Sequence, residues 1–177
     1  MAEKKATVTF DAIMRDLKSG KYAPVYILMG DESYYIDRIT DYIAENVLDP
    51  DDRDFNQTVV FGADTTAAQV VDMAKGYPVM PAAHRVVIVK EAQGLKSLDA
   101  LERYFEKPLA STLLVIAYKN GTIDRRKKVV GKAEAVGVVF ESKKKRDYEL
   151  PAFIETYLKK NHVAIDPKSA AMIAEHI

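Results

Sequence analysis

Three continuous apolar stretches constrain the fold more than any other feature of this sequence. They are residues 24–30 (PVYILMG), 85–92 (RVVIVKEA) and 111–118 (STLLVIAY). Short runs of this kind are typical of strands that are covered on both faces, as in a parallel sheet, whereas a strand with one wet face alternates apolar and polar residues. The three runs therefore predict a parallel sheet that lies between two layers of helices.

Amphipathic segments separate these runs. Weaker strand patterns at 55–62 and 137–142 bring the number of predicted strands to five. Helical spacing of apolar residues occurs at 7–19, 34–48, 66–77, 98–108 and 124–136. Strands and helices that alternate at this spacing indicate parallel strands joined by right-handed crossovers. The predicted fold class is α/β, with a five-stranded parallel sheet flanked by helices.

The pattern changes after the lysine-rich stretch at 142–150. Helical patterns follow at 150–165 and 166–177, and Asp166 and Pro167 are suited to the N-cap and the first position of the second helix. We therefore predict one α/β domain over residues 1–145 and the beginning of a small all-helical domain over 146–177. Because the last helical pattern runs to the final residue, we expect the helical domain to continue beyond the given sequence.

Composition excludes several classes of function. Lys+Arg and Asp+Glu each number 26, so no net charge attracts the whole chain to nucleic acid or to an anionic membrane. The absence of cysteine excludes disulfides, thiolate metal sites and Cys nucleophiles. The three histidines lack metal-ligand spacing, and no serine lies in a G-x-S-x-G turn. We predict no catalytic residue, no metal site, no membrane span and a cytoplasmic location.

The junction after the first strand has the outline of a phosphate-binding loop. Such a loop requires G-x-x-x-x-G-K-[ST], because its lysine neutralises phosphate and its hydroxyl holds magnesium. Gly30 is instead followed by Asp31, Glu32 and Ser33, with neither a second glycine nor a Lys-Ser/Thr pair. Two carboxylates would repel phosphate, and they are better explained as caps of the following helix. We predict that this junction binds no nucleotide and that the chain uses no cofactor.

Six segments, taken in order, resemble the delta subunit of bacterial DNA polymerase III. They are PVYILMGDESYYIDR (24–38), FNQTVVFGAD (55–64), RVVIVKEAQGL (85–95), YFEKPLASTLLVIAYKN (104–120), DRRKKVVGKAEAVGVVFESKK (124–144) and the sequence from residue 150 to 177. The resemblance covers essentially all 177 residues. It implies an AAA+ fold, which is a P-loop NTPase architecture, without a working phosphate-binding loop.

The resemblance also implies a function. Delta is the clamp loader subunit that opens the ring-shaped sliding clamp, the beta subunit, and it acts together with the other clamp loader subunits. It belongs to a DNA polymerase holoenzyme, although this chain has no arrangement of residues suited to polymerase chemistry. ATP would act through the neighbouring subunits.

The matching clamp-binding segment is residues 77–89 (YPVMPAAHRVVIV). Its prolines should break regular structure, and an apolar break belongs either in the core or on a binding surface. The resemblance implies that Val79 and Met80 are the exposed apolar pair that grips the clamp, with Tyr77 and Pro81 beside them. In the family a small or polar residue and then arginine follow the pair. Four residues separate Met80 from the next arginine here, so Pro81 is also a candidate member of the pair.

Positive charges cluster in the segment 124–132 and again at 142–146. The residues proposed to contact DNA phosphates are Arg125, Arg126, Lys127, Lys128 and Lys132. A DNA-binding module acting through residues 125–146, with primer-template DNA as its partner, is therefore an alternative function. The other interpretation is a solvated helix face and a domain linker. An atypical AAA+ ATPase is a further alternative, which the missing Lys-Ser/Thr pair disfavours.

Overall fold

A computed structural model of the chain describes residues 8–176. The strands are β1 (Val25–Gly30), β2 (Gln57–Phe61), β3 (Arg85–Lys90), β4 (Thr112–Lys119) and β5 (Val138–Ser142). The helices are α1 (Phe10–Lys18), α2 (Ser33–Asn46), α3 (Arg53–Asn56), α4 (Ala67–Ala74), α5 (Glu102–Phe105), α6 (Lys128–Val136), α7 (Leu150–Lys160) and α8 (Pro167–Ala174). The five strands are parallel and lie in the order β2-β3-β4-β1-β5, which confirms the predicted parallel sheet flanked by helices.

The central strand β1 is buried on both faces, as its unbroken apolar sequence predicts. Val25, Ile27 and Met29 pack in a cluster with residues of α4, α5 and α6. Tyr26 and Leu28 point to the opposite face, into a cluster with residues of α1 and α2. Two hydrophobic layers therefore cover the sheet, one on each side.

The edge strand β2 differs from the central strands. Within residues 8–176 it pairs with β3 alone, and Val59 and Phe61 are 44% and 50% exposed. The prediction that a strand begins at residue 55 is wrong, because Phe55 and Asn56 end the short helix α3 and the strand begins at Gln57.

Two predicted helices are shorter than their apolar patterns. The helix expected at 98–108 is a 3-10 helix at Leu98–Leu101 followed by the single turn of α5. The helix expected at 124–136 begins only at Lys128. The Asp124 carboxylate accepts a hydrogen bond of 2.9 Å from the backbone N–H of Arg126, and this local turn competes with helix formation.

Two helices in the outer parts of the chain also differ from their predicted bounds. The helix expected at 7–19 begins at Phe10, and the side chain of Thr9 accepts a hydrogen bond from Ala12 N–H as its N-cap. Thr7 lies outside the described residues. The helix expected at 150–165 ends at Lys160, and His162 then adopts a left-handed conformation with φ of 59°.

The chain divides into two compact units after Ser142. In the second unit, Asp166 caps α8 by accepting a 2.9 Å hydrogen bond from Ser169 N–H, and Pro167 occupies the first helical position, as predicted. The expectation that this helix runs to the final residue is wrong, because α8 ends at Ala174. The assignment of 146–177 as the beginning of a helical domain stays a prediction. Within residues 8–176 we find no helix with the length and apolar character that a membrane crossing needs.

Gly30 is a position where the fold has no room for a side chain. Its φ is +132°, and a Cβ atom would lie 1.9 Å from the Ser142 carbonyl oxygen. We expect Gly30→Ala to lower the free energy of unfolding by at least about 2 kcal/mol, measured by urea denaturation. The control is Gly131→Ala in α6, where a Cβ meets nothing within 4 Å. Because alanine has the higher helix propensity, this substitution should raise the free energy of unfolding by as much as about 1 kcal/mol. Equal stability of the Gly30→Ala variant and the wild type would contradict this account.

Two buried tyrosines make stability depend on alkaline pH. Burial raises the pKa of Tyr26 and of Tyr104 above the ordinary value, while their hydroxyls are hydrogen-bonded to backbone groups. A raised pKa in the folded state means that the stabilisation is complete below the unfolded pKa of about 10 and is lost as pH rises through the folded pKa. The free energy of unfolding should fall with pH above about 10 in urea titrations. Tyr104→Phe should flatten that dependence, and an unchanged slope would argue against it.

Candidate functional site

The two segments singled out in the sequence lie at opposite edges of the sheet. Because all five strands are parallel, their carboxyl ends share one edge and their amino ends share the other. The junction at Gly30 follows β1 at the carboxyl edge. The segment before β3 lies at the amino edge. The two segments therefore belong to two separate candidate sites.

At the carboxyl edge, the backbone of the junction is hydrogen-bonded within the chain. The N–H of Gly30 donates to the Gly121 carbonyl at 2.8 Å, and the N–H of Asp31 donates to the Ser142 carbonyl at 3.2 Å. The Ser142 hydroxyl donates to the Glu32 carbonyl at 2.7 Å. Phosphate-binding loops instead direct such N–H groups at the ligand.

The start of α2 carries its own anion. The Glu32 carboxylate accepts a hydrogen bond of 3.1 Å from Tyr34 N–H, which confirms the predicted capping role. A negative charge interacts favourably with the positive end of the helix dipole, and here a side chain supplies that charge. The arrangement supports the prediction that no nucleotide binds at this junction.

The lysine beside the junction forms ion pairs with carboxylates of the same chain. Lys119 lies opposite Gly30 in the register of β4 and β1, and its Nζ is 2.6 Å from Asp37 and 3.4 Å from Glu91. Although partial burial alone would lower it, the hydrogen bond and charge of Asp37, together with Glu91, raise the pKa of Lys119 above its ordinary value. Its charge is balanced by these carboxylates rather than presented to a ligand.

At the amino edge, residues 77–81 form an exposed apolar loop, which we call the apolar loop. Tyr77, Val79 and Met80 are 75%, 51% and 83% exposed, and Pro81 is exposed as well. The structure contains neither helix nor strand between α4 and β3, as the two prolines predict. The exposure rules out the alternative in which Val79 and Met80 close the core.

Two buried residues hold the apolar loop against the sheet. Ala82 is buried, and its N–H donates to the Val79 carbonyl at 3.2 Å. Asn56, which is only 1% exposed, accepts a 2.6 Å hydrogen bond from Val79 N–H and donates a 3.1 Å bond to the Val79 carbonyl. The loop is therefore exposed at its side chains and fixed at its backbone.

Sequence reasoning missed Asn56. Its residue type is common in turns, so nothing in the local pattern marks it as a support of a segment 23 residues away. The contact follows from the strand order. Because β2 lies beside β3 with Gln57 opposite Val86, the residues just before these two strands are brought together.

The basic residues around α6 are largely paired with carboxylates. The ion pairs are Arg125 with Glu134 and Glu141, Arg126 with Asp124, Lys127 with Asp99, and Lys132 with Glu102 and Glu106. The hydrogen bond from Lys132, with its charge, holds the pKa of Glu106 below its ordinary value. Lys128 is exposed and has no ion pair among the described residues. The structure thus does not gather the predicted phosphate contacts into an uncompensated positive patch.

Known proteins resemble this chain both in structure and in sequence. RuvB from Thermotoga maritima matches with a TM-score of 0.51 at 17% identity, over 92% of this chain and 52% of that chain. The DNA clamp loader delta protein of Bacillus subtilis matches with a TM-score of 0.74 at 27% identity, over 93% of this chain and 51% of that chain. The Bacillus subtilis DNA polymerase III subunit delta is 27% identical over 173 residues, 92% of this chain and 49% of the relative.

The strand order and the flanking helices, together with the structural similarity to RuvB and to the clamp loader delta protein, show an AAA+-like α/β fold. The loop after β1 lacks the residues of a phosphate-binding loop. The model of the family described as DNA polymerase III, delta subunit, matches residues 26–143. The chain belongs to this family, whose members are clamp loader subunits of DNA replication. It spans about half the length of the Bacillus subtilis relatives.

Exposure of the apolar loop predicts a small effect of polar substitution on stability. We expect Val79→Ser/Met80→Ser to change the free energy of unfolding by less than about 0.5 kcal/mol, because these side chains already face water. The comparison is Val86→Ala, a fully buried position in the adjacent strand, which should cost about 2 kcal/mol. Urea denaturation measures both. A loss in the double variant as large as that of Val86→Ala would show that the loop packs in the core.

Proposed function

We propose that this chain binds the sliding clamp through the apolar loop and helps to open it for loading onto DNA. The partners are the clamp, which is the beta subunit, and the other clamp loader subunits, in the bacterial cytoplasm. The observation that carries the proposal is the exposure of Val79 and Met80 on a loop whose backbone is held by Asn56. Membership of the delta family supports the choice of partner.

The loop has the properties of a binding surface. Exposed apolar clusters on soluble domains mark interaction sites, and methionine is common at adaptable interfaces. Full burial of a valine or methionine side chain contributes about 1.5–3 kcal/mol. The pair Val79 and Met80 can therefore contribute roughly 3 kcal/mol or more to association, with Tyr77 and Pro81 enlarging the contact.

Opening the clamp would require binding and no covalent chemistry. A wedge shifts the equilibrium between closed and open clamp only by its difference in affinity for the two states. A difference of about 3 kcal/mol corresponds to roughly a hundredfold shift. The hydrogen-bonded junction at Gly30 agrees with a chain that contributes a surface while other subunits use ATP.

The alternative of a DNA-binding module has weaker support. Arg125, Lys127 and Lys132 would each have to leave a carboxylate partner before contacting a phosphate. Exposed ion pairs are weak, so the exchange is possible but adds a cost that free lysines would not have. The amino edge, by contrast, presents its apolar side chains without rearrangement.

Calorimetric titration of the chain into the cognate sliding clamp tests the proposal. We expect binding by the wild type and a loss of at least about a hundredfold in affinity for Val79→Ser/Met80→Ser, because two anchoring side chains are removed. The matched control is Val163→Ser/Met172→Ser in the second unit, where the same two residue types are 49% and 56% exposed. The control should bind like the wild type.

Two results would contradict the proposal. Equal affinity of the wild type and Val79→Ser/Met80→Ser would place the contact outside these two residues. Absence of clamp binding by the wild-type chain would remove the proposed partner.

A further inference from the structure

A second exposed aromatic side chain lies at the amino edge of the sheet. Phe55 is 69% exposed and belongs to α3, directly before Asn56. Phe55 is not part of the hydrophobic core, and it takes no part in the hydrogen bonds of the junction at Gly30. A large apolar side chain that is presented to water, next in sequence to a residue hydrogen-bonded to the apolar loop, is a candidate for the same interface.

Asn56 ties α3 to the apolar loop. Its side-chain amide accepts a hydrogen bond from the N–H of Val79 and donates one to the Val79 carbonyl, and its Nδ2 also donates at 3.2 Å to the carbonyl of Asp52, the residue directly before α3. The two segments are therefore joined by a buried side chain, although they are 23 residues apart in sequence. Phe55 is the residue directly before Asn56 in the same helix.

We infer that Phe55 is a further clamp-binding residue, and that Asn56 is a positioning residue which holds Phe55 and the apolar loop as one preformed surface. This inference rests on the proposed function. It adds an aromatic contact to the aliphatic pair and assigns the geometry of the surface to a single buried amide.

The physical basis is preorganisation. Aromatic side chains are enriched among the residues that dominate binding energy. A surface whose segments are already fixed loses less conformational entropy on binding than one whose loop must be ordered by the partner. The two hydrogen bonds between Asn56 and Val79 fix the backbone of the apolar loop in the unbound chain.

The chain supplies a matched control for Phe55. Phe61 is 50% exposed and lies at the carboxyl end of β2, five residues from Asn56. At about 3.3 Å per strand residue, it is roughly 16 Å from the amide link. It is therefore equally aromatic and similarly exposed, but remote from the proposed surface.

The test is calorimetric titration of the sliding clamp with Phe55→Ser, Phe61→Ser and Val79→Ser/Met80→Ser. We expect Phe55→Ser to weaken binding by about tenfold or more, as removal of an interfacial aromatic anchor does, and Phe61→Ser to bind like the wild type. Unfolding in urea confirms that both single variants are folded.

The outcomes separate this inference from the proposed function. If Val79→Ser/Met80→Ser weakens binding and Phe55→Ser does not, the inference is overturned and the proposed function stands. If Phe61→Ser weakens binding as much as Phe55→Ser, the loss is not specific to the surface and the inference is again overturned. If the wild type binds and neither the apolar-loop variant nor Phe55→Ser weakens binding, both fail.

Asn56→Ala tests the positioning role. We expect weaker clamp binding together with at least about tenfold faster hydrogen exchange at the Val79 and Ala82 amides, because local opening of the loop becomes easier. The amides of Val86 and Val87 in β3 should keep their protection. Faster exchange across the whole sheet would indicate a role in general stability, and unchanged clamp affinity would overturn the positioning role.

Discussion

Burial of the central strand on both faces is the constraint on which the rest of this structure depends. β1 lies between β4 and β5, and its residues Val25–Met29 are almost wholly removed from water. A sheet that is covered on both sides leaves only its two ends for function. Because the strands are parallel, one end consists of loops that follow strands and the other of loops that precede them.

The two ends of the sheet have opposite character. At the carboxyl edge, where this class of fold places nucleotides, Gly30 and Asp31 are hydrogen-bonded to the chain's own carbonyls and Glu32 occupies the helix start. At the amino edge, apolar side chains project into water from a backbone that a buried asparagine holds. The chain thus has an AAA+-like fold, while the apolar loop lies at the other end of the sheet.

Sequence patterns predicted the elements best where burial determines them. The runs at 24–30 and 111–118 became strands that are buried along all of β1 and along the first six residues of β4, and Asp166 capped its helix as expected. The patterns failed where local hydrogen bonds or tertiary contacts compete with periodicity. Asp124 closes a turn that delays α6, and Phe55 belongs to a short helix rather than to β2.

The sequence by itself determined that the chain is a parallel α/β protein, that its first loop lacks the residues of a phosphate site, and that residues 77–81 interrupt regular structure. Only the tertiary structure decided that Val79 faces water while Val86, seven residues later, is buried. It also decided that Asn56 reaches Val79 and that the basic residues near α6 meet carboxylates. The physical reason is that these features depend on which strands are neighbours. Hydrophobic periodicity indicates a buried face only within a regular helix or strand, and it does not record which segments pack against each other.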